Sequence, residues 1–365
     1  MPKTILQGRL SHRLRSLATL TGTTADVVAR RAIGQPLVPE WDISFEIGTL
    51  FVRRQFNHAF AMADIADARA YFDSLYMIVE PHLSVDVHPA GPNEPAGDWF
   101  LPHGPRSALT MLYLHGGGYA YYAAVSRHFI AMLAQKLQVA IFAPNYRLTP
   151  EHPHPAQLDD GLAAYRYLLQ FGIEPRNLVV GGDSAGGHLT LMLVASLTAA
   201  GLPQPAMALA LSPWTDIGRR GESQFGNDRY DMVQGYQTLQ YGAWLKGDTG
   251  LDDKALSPIH QDYDKACPIY IQAGGKEILV DMIRDFARTL ARHSARVRLD
   301  VWEHMTHEFH AYGETLLESR QALAALRAAL VWAMTRDARA FAVTEHTEVE
   351  QLGAPRGCPV GVGMR

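Results

Sequence analysis

From residue 109 onward, short apolar runs alternate with longer runs in which apolar positions recur at helical spacing. The apolar runs, predicted to be strands, cover residues 109–115, 139–143, 178–181, 207–212, 269–273 and 297–302. The helical runs between and after them cover residues 127–137, 157–171, 188–200, 278–294 and 315–335. Apolar strands that alternate with helices predict a mostly parallel sheet with helices on both faces. The predicted fold class is therefore α/β.

The segments outside this alternation divide the chain. Residues 1–75 are predicted to be a helical cap segment, with aromatic residues at roughly helical spacing, namely Trp41, Phe45, Phe51, Phe56 and Phe60. Residues 76–342 form the predicted catalytic domain, which starts with short strand-like pieces at 84–101. At about 213–263 it contains an insertion, with its own helix, that is too long for a simple strand-to-helix loop. Residues 343–365 are rich in Gly, Pro and polar residues and are predicted to be poorly ordered.

The insertion and the N-terminal helices have two interpretations. They could form a lid over the carboxyl ends of the strands, where α/β sheets bind ligands, or they could simply cover the edges of the sheet. We favour the lid, because a reaction site needs a roof that excludes water. The aromatic stripe from Trp41 to Phe60 fits packing within this cap better than a partner interface.

The turn after the strand at 178–181 reads Gly182-Asp-Ser184-Ala-Gly186. A serine flanked by glycines between a strand and a helix is typical of a nucleophile elbow. Such a turn has no room for side chains at the glycine positions, and it exposes the hydroxyl at a helix N-terminus, which favours negative charge. A Gly-rich turn can also contain a serine by chance, so the prediction of Ser184 as nucleophile depends on the other motifs.

The strand at 109–115 is followed by three glycines, Gly116 to Gly118. Glycines after a buried strand let backbone N–H groups point at a small target, which in acyl transfer is the oxyanion of the tetrahedral intermediate. We predict Gly117 and Gly118 as donors, joined by the N–H of Ala185. A phosphate-binding loop is the alternative, but the Lys-Ser/Thr ending of that motif is missing.

A serine nucleophile needs a base, and the base needs an acid that orients it. The loop after the last strand contains three histidines at positions 304, 307 and 310, where the base lies when the chain order is Ser, acid, His. A metal site is the alternative, but the spacing matches neither common zinc-protease motif. The candidate acids, Glu277 and Asp281, follow the strand at 269–273, and either could instead complement a helix N-terminus.

Composition narrows the function classes. A formal net charge of −4 gives no reason to expect a nucleic-acid partner. No stretch approaches the roughly 20 apolar residues of a membrane span, and no secretory signal is evident. The two cysteines, Cys267 and Cys358, have no ligand-type spacing. We therefore expect a cytoplasmic protein without a metal.

Four motifs in this order resemble the hormone-sensitive-lipase-like (bacterial family IV) esterases of the α/β-hydrolase fold. They are His115-Gly-Gly-Gly118, Asn145-Tyr-Arg-Leu-Thr-Pro-Glu-His152, Gly182-Asp-Ser-Ala-Gly186 and Ser212-Pro-Trp-Thr-Asp216, and the resemblance covers about residues 108–312. It implies a mostly parallel central sheet flanked by helices, an N-terminal helical cap, and a second cap inserted after the Ser-Pro-Trp strand. It also implies a serine carboxylesterase that needs no cofactor.

The resemblance assigns the remaining roles. The family's acid motif, Asp-Pro-Leu-x-Asp with the first acid catalytic, reads Glu277-Ile-Leu-Val-Asp281 here, so Glu277 takes the catalytic position and Asp281 the supporting one. His307 matches the catalytic histidine, although Glu308 replaces the glycine that commonly follows. The resemblance also predicts an ion pair that supports the oxyanion loop, formed by Arg147 and Glu151. The candidate substrate-binding residues are Tyr119, Tyr121, Tyr122 and Trp214, of which Tyr121 and Tyr122 could equally pack under the cap.

The resulting hypothesis is hydrolysis of a small-molecule ester with a short- to medium-chain acyl group, through Ser184, His307 and Glu277. Because the acyl-enzyme is common to all of them, the same machinery could act on an amide, lactone or carbamate, or transfer the acyl group to another alcohol. A small-molecule receptor of the same fold is the non-enzymatic alternative. It is disfavoured because the base is still present. The oligomeric state stays open, a homodimer included.

Overall fold

The computed structural model describes residues 3–336 and 341–352. Within these residues, two short strands, β1 (Lys3–Leu6) and β2 (Leu75–Ile78), pair antiparallel. The other strands form one sheet: β3 (Val85–Pro89), β4 (Gly97–Pro102), β5 (Thr110–Leu114), β6 (Ala140–Pro144), β7 (Leu178–Asp183), β8 (Met207–Leu211), β9 (Ile269–Gly274), β10 (Val297–Trp302) and β11 (Thr347–Glu350).

The order of strands in this sheet is β11-β10-β9-β8-β7-β5-β6-β4-β3. Strands β5 to β10 are parallel, whereas at the two edges β4 pairs antiparallel with β6, β3 with β4, and β11 with β10. Because β6 and β7 lie on opposite sides of β5, the direction of winding reverses there. Ligands of open α/β sheets bind beside the carboxyl ends of the strands at such a reversal. Leu114 pairs with Gly182, so the two glycine-rich motifs lie side by side at this point.

The helices of the described residues are α1 (Leu10–Ala32), α2 (Ile43–Phe60), α3 (Ile65–Phe72), α4 (Ala124–Leu137), α5 (Ala156–Gln170), α6 (Ser184–Ala199), α7 (Ser223–Gly226), α8 (Gly235–Lys246), α9 (Val280–Arg292) and α10 (Leu317–Thr335). Alternate residues of a strand reach opposite faces of the sheet. In β5, Leu112 and Leu114 join the core with α5, α6 and α9, and Met111 and Tyr113 join the core with α4 and α10. This burial on both faces confirms the predicted α/β class.

The first three helices occupy the predicted N-terminal cap segment. Trp41 and Phe45 are buried against Trp302 and Phe309 beside β10. The indole N–H of Trp41 also donates to the carbonyl of His304 at 2.5 Å, so the start of α2 packs on the loop that carries the candidate base. None of the helices in the described part of the chain combines the length and the apolar character needed to cross a bilayer.

Two features differ from the sequence prediction. Helix α6 begins at Ser184 rather than His188, because it starts directly from the elbow. Residues 347–350, predicted to be poorly ordered, instead form β11 on the edge of the sheet. The buried guanidinium of Arg298 stabilises this edge through Asp300 at 2.9 Å and Glu350 at 3.1 Å. Residues 353–365, which include Cys358, lie outside the described residues.

Candidate active site

The elbow after β7 holds Ser184 in a left-handed backbone conformation with φ +53°. A Cβ atom at Gly182 or Gly186 would collide with the carbonyl oxygen of Leu114 at the end of β5. Because the backbones of the two strand ends approach closely around the turn, only glycine fits at both positions. Ser184 is therefore the first residue of α6, and its side chain is partly exposed in a cavity at the helix N-terminus.

The glycine loop after β5 lies on the other side of this cavity. Gly117 and Gly118 have φ angles of +103° and +61°, and a Cβ at Gly117 would collide with the carbonyl of Tyr121. No residue in the described ranges accepts a hydrogen bond from the N–H of Gly117 or Gly118. The N–H of Ala185 lies in the first turn of α6, where helices leave donors unpaired. All three residues line the cavity.

His115, at the base of the glycine loop, is stacked between two tyrosine rings. The Tyr122 ring lies 3.8 Å away at 7°, and the Tyr146 ring lies 4.1 Å away at 9°. The Tyr146 hydroxyl donates to the His115 carbonyl at 2.5 Å. Burial lowers the pKa of His115 to about 3, so the imidazole is neutral and supports the loop by packing.

The ion pair predicted between Arg147 and Glu151 is wrong. Arg147 instead forms a bidentate pair with Asp160 on α5, at 2.8 and 2.9 Å. Glu151 binds Arg69 of α3 at 2.6 and 2.8 Å. Arg69 also donates to the carbonyl of Ala120 at 2.7 Å, directly after the glycine loop. The arginine that supports the glycine loop therefore comes from the N-terminal segment, and Arg147 instead binds α5.

If the glycine loop supplies the oxyanion donors of an esterase, as the sequence predicts, Arg69→Met should lower kcat roughly tenfold, because the donors lose a support that fixes their position. Arg147→Met is the matched control, since it removes an equally bidentate arginine away from the loop, and it should leave kcat within about twofold of wild type. Steady-state kinetics of both variants, with thermal unfolding measured in parallel, checks this. Equal losses in the two variants would contradict a specific role for Arg69.

The loop after β10 and the loop after β9 bring a histidine and a glutamate together. His307 Nδ1 lies 3.6 Å from Glu277 Oε2, and both side chains are almost fully buried. This distance exceeds that of a formed hydrogen bond, but catalytic hydrogen bonds are often long without substrate and tighten when it binds. Asp281 does not share this position, because its carboxylate accepts the N–H of Ser223 at 2.9 Å on the far side of the loop.

Asp231, which the sequence reasoning missed, connects the two loops. Its carboxylate accepts the N–H of His307 at 3.1 Å and the N–H of Ile278 at 2.7 Å. Burial raises the pKa of Asp231 to about 6. Asp231 lies in the 213–263 insertion, and no local motif marks it, so only the packing of the insertion on the sheet could have identified it.

Carboxyl groups surround the His307 imidazole. Burial alone would lower the pKa of His307, but Glu277, Glu308 and Asp231 more than offset this and raise the pKa above its usual value. Glu308 Oε1 lies 3.6 Å from His307 Nε2, on the opposite side of the ring from Glu277. The site therefore favours the imidazolium, which is the charged form that a general base adopts during catalysis.

The cavity has a volume of about 270 Å³. Ser184, His307, Gly117 and Gly118 line it, and its remaining walls are largely apolar or aromatic side chains from both predicted cap segments, among them Phe51, Phe56, Phe72, Met232, Val233 and Tyr241. Of the four predicted substrate-binding residues, Tyr121 and Trp214 line it.

Tyr119 and Tyr122 do not line the cavity, which corrects the prediction. The buried Tyr119 hydroxyl forms a hydrogen bond of 2.6 Å with His188 Nδ1, and the Tyr122 ring is stacked on His115. The other two histidines of the base loop also point elsewhere: His310 Nε2 lies 3.0 Å from Gln272 Oε1, and His304 is close to Glu40. In residues 3–336 and 341–352, no cluster of three or more His, Cys, Asp or Glu residues could hold a metal ion.

The chain is similar to known proteins in sequence and in fold. The family model described as the α/β hydrolase fold matches residues 111–311. The chain is 34% identical over 229 residues to an acetyl-hydrolase of Streptomyces hygroscopicus, covering 62% of this chain and 76% of that protein. It is 28% identical over 260 residues to an esterase of Acinetobacter venetianus, covering 70% and 85%. The crystal structure of an esterase from the bacterial hormone-sensitive lipase family aligns with a TM-score of 0.70 at 30% identity, covering 78% and 97%.

The fold and the family match define an α/β-hydrolase enzyme. The chain belongs to the α/β hydrolase fold family, among the hormone-sensitive-lipase-like esterases, which confirms the family that the four sequence motifs predicted.

Proposed function

We propose that the protein is a serine carboxylesterase in which Ser184 is the nucleophile, His307 the general base and Glu277 the acid that orients it. The observation that carries this proposal is that Ser184, His307 and the glycine loop line one cavity, while Glu277 lies directly behind the imidazole. In this reaction the N–H groups of Gly117, Gly118 and Ala185 bind the oxyanion.

The reaction proceeds in two steps through an acyl-enzyme. His307 takes the proton of the Ser184 hydroxyl as the oxygen attacks the ester carbonyl, and Glu277 stabilises the imidazolium. His307 Nε2–H then protonates the leaving alcohol. Water attacks the acyl-enzyme with the same base and the same oxyanion donors, which releases the acid and restores Ser184.

We infer that the substrates are esters with short- to medium-chain acyl groups. A cavity of about 270 Å³ is small beside the roughly 300–1,000 Å³ of pockets for drug-sized ligands. Bulky side chains from α2 and α8 limit it, among them Phe56 and Tyr241, so a long chain has to leave the cavity. The two cap segments would also shield the reacting groups from bulk solvent. A cytoplasmic location and a homodimer stay predictions.

A series of p-nitrophenyl esters from acetate to laurate tests the proposal. We expect the highest kcat/KM among the short and medium chains and a fall toward laurate, because the acyl chain must fit beside Phe56 and Tyr241. Laurate hydrolysis as fast as butyrate hydrolysis would contradict the size argument. No turnover of any ester would instead favour an amide, lactone or receptor function.

The pH profile should reflect the carboxyl groups around His307. A general base must be neutral to accept a proton, and these carboxyl groups raise the pKa of His307 above the usual 6.5. The acid limb of kcat/KM is therefore expected above pH 6.5, with activity rising from neutral into alkaline pH. Measurement of kcat/KM across this pH range, with enzyme stability checked at each pH, tests the direction of the pKa shift of His307. A rate that is flat from mildly acidic to mildly alkaline pH would contradict the role of His307.

A further inference from the structure

Glu308, directly after the candidate base, has an unexpected backbone conformation. Its φ of +52° is in the left-handed region, which a glycine adopts freely and a glutamate does not. Its N–H donates to the Ser212 hydroxyl at 3.3 Å, which helps to hold the turn. Residues with a strained backbone cluster at functional sites, where the function of the side chain can account for the strain.

The Glu308 side chain lies inside the catalytic cavity. It lines the cavity together with Ser184 and His307, and about a quarter of it (27%) is exposed there. Its Oε1 atom is 3.6 Å from His307 Nε2, the ring nitrogen that in the proposed reaction protonates the leaving alcohol. The carboxyl also reaches the glycine loop, since a Cβ at Gly116 would lie 2.8 Å from Oε1. Glu308 is thus close to the alcohol side of the ester.

The Glu308 carboxyl faces both another acid and the imidazole of His307, whose charged form the site favours. It faces the carboxyl of Asp183, whose Oδ1 accepts the Tyr113 hydroxyl at 2.6 Å. Burial and the facing Asp183 raise the pKa of Glu308 well above its usual value. Among the described residues that line the cavity there is no lysine or arginine. Apart from His307, the described residues that line the cavity therefore offer the Glu308 oxygens no positive partner.

We propose that Glu308 determines specificity for the alcohol moiety by accepting a hydrogen bond from a hydroxyl group of the alcohol. This hydroxyl is on the carbon adjacent to the one that bears the ester oxygen. The preferred substrates are then monoesters of polyols. The leaving oxygen must come within about 3 Å of His307 Nε2 to be protonated, so a hydroxyl on the neighbouring carbon comes within reach of Glu308 Oε1. This inference rests on the proposed esterase function and adds the substrate class.

Two butyrate esters of equal size test the proposal: 2-hydroxyethyl butyrate, and propyl butyrate, in which a methyl group replaces the hydroxyl. The measured quantity is the ratio of their kcat/KM values, which is compared between enzymes so that intrinsic reactivity cancels. We expect Glu308→Met, which keeps the length of the side chain, to lower this ratio roughly tenfold from wild type. Glu303→Met, at an exposed glutamate of the same loop, should leave the ratio unchanged.

Each outcome is decisive. If Glu308→Met slows both esters equally, Glu308 only positions His307 and the proposal is wrong. It is also wrong if a 2-aminoethyl ester gains from Glu308 while the hydroxyethyl ester does not, because the site then recognises charge. If Glu308→Met does not fold, Glu308→Gly fits the backbone conformation and should show the same loss of ratio. Hydrolysis of p-nitrophenyl butyrate by wild type is the separate check, since its absence would overturn the esterase function itself.

Discussion

Ser184→Ala is expected to lower kcat for p-nitrophenyl butyrate by a factor of roughly a million, to the rate that the oxyanion donors support alone. The substitution removes one oxygen atom and leaves the N–H groups of Gly117, Gly118 and Ala185 in place. The variant should also lose the burst of p-nitrophenol that reports acyl-enzyme formation. Steady-state and burst kinetics of the variant and wild type measure both effects.

Ser196→Ala provides a matched control on the same helix, away from the elbow, and should keep wild-type kinetics. Thermal unfolding of both variants separates a lost nucleophile from a lost fold, because the φ of +53° at Ser184 already strains any residue with a side chain. If folded Ser184→Ala retains more than about one hundredth of kcat, Ser184 is not the nucleophile.

Local patterns were enough to predict the positions that follow strands. Ser184, the glycine pair and His307 each lie in the turn or loop that follows an apolar run, and parallel strands bring their carboxyl ends to one edge of the sheet. The short apolar runs of the strands and the glycines at the turns are properties of short segments. The α/β fold and the family could therefore be predicted from them.

The contacts that support these positions depend on distant segments, so the sequence could not supply them. Arg69 rather than Arg147 pairs with Glu151, because α3 packs beside the glycine loop. Asp231 joins the two catalytic loops from an insertion that has no motif. Polar and Gly-rich composition predicted a disordered tail. Residues 347–350 are ordered as β11, where Arg298 of the neighbouring strand supplies a buried cation for Glu350.

The choice between the two candidate acids depends on which carboxylate lies beside His307 Nδ1. Glu277 contributes a carboxylate 3.6 Å from His307 Nδ1, whereas the carboxylate of Asp281 is bound to the Ser223 N–H. Glu277→Gln keeps the shape of the side chain and removes the charge that stabilises the imidazolium, so we expect kcat to fall roughly 10⁴-fold. Asp281→Asn is the matched control and should keep kcat within about threefold, because it changes only the contact between the first turn of α9 and Ser223.

Glu277→Asp separates charge from reach. The shorter side chain keeps the negative charge but lengthens a gap that is already 3.6 Å, so activity should lie between wild type and Glu277→Gln. Steady-state kinetics of the three variants on p-nitrophenyl butyrate, with an unfolding curve for each, measures the order of their activities. A larger loss in Asp281→Asn than in Glu277→Gln would transfer the acid role to Asp281. Because Asp281 lies in the first turn of α9, directly after the loop that carries Glu277, damage to this segment would lower all three variants together. Only loss of the His307 partner gives the expected order.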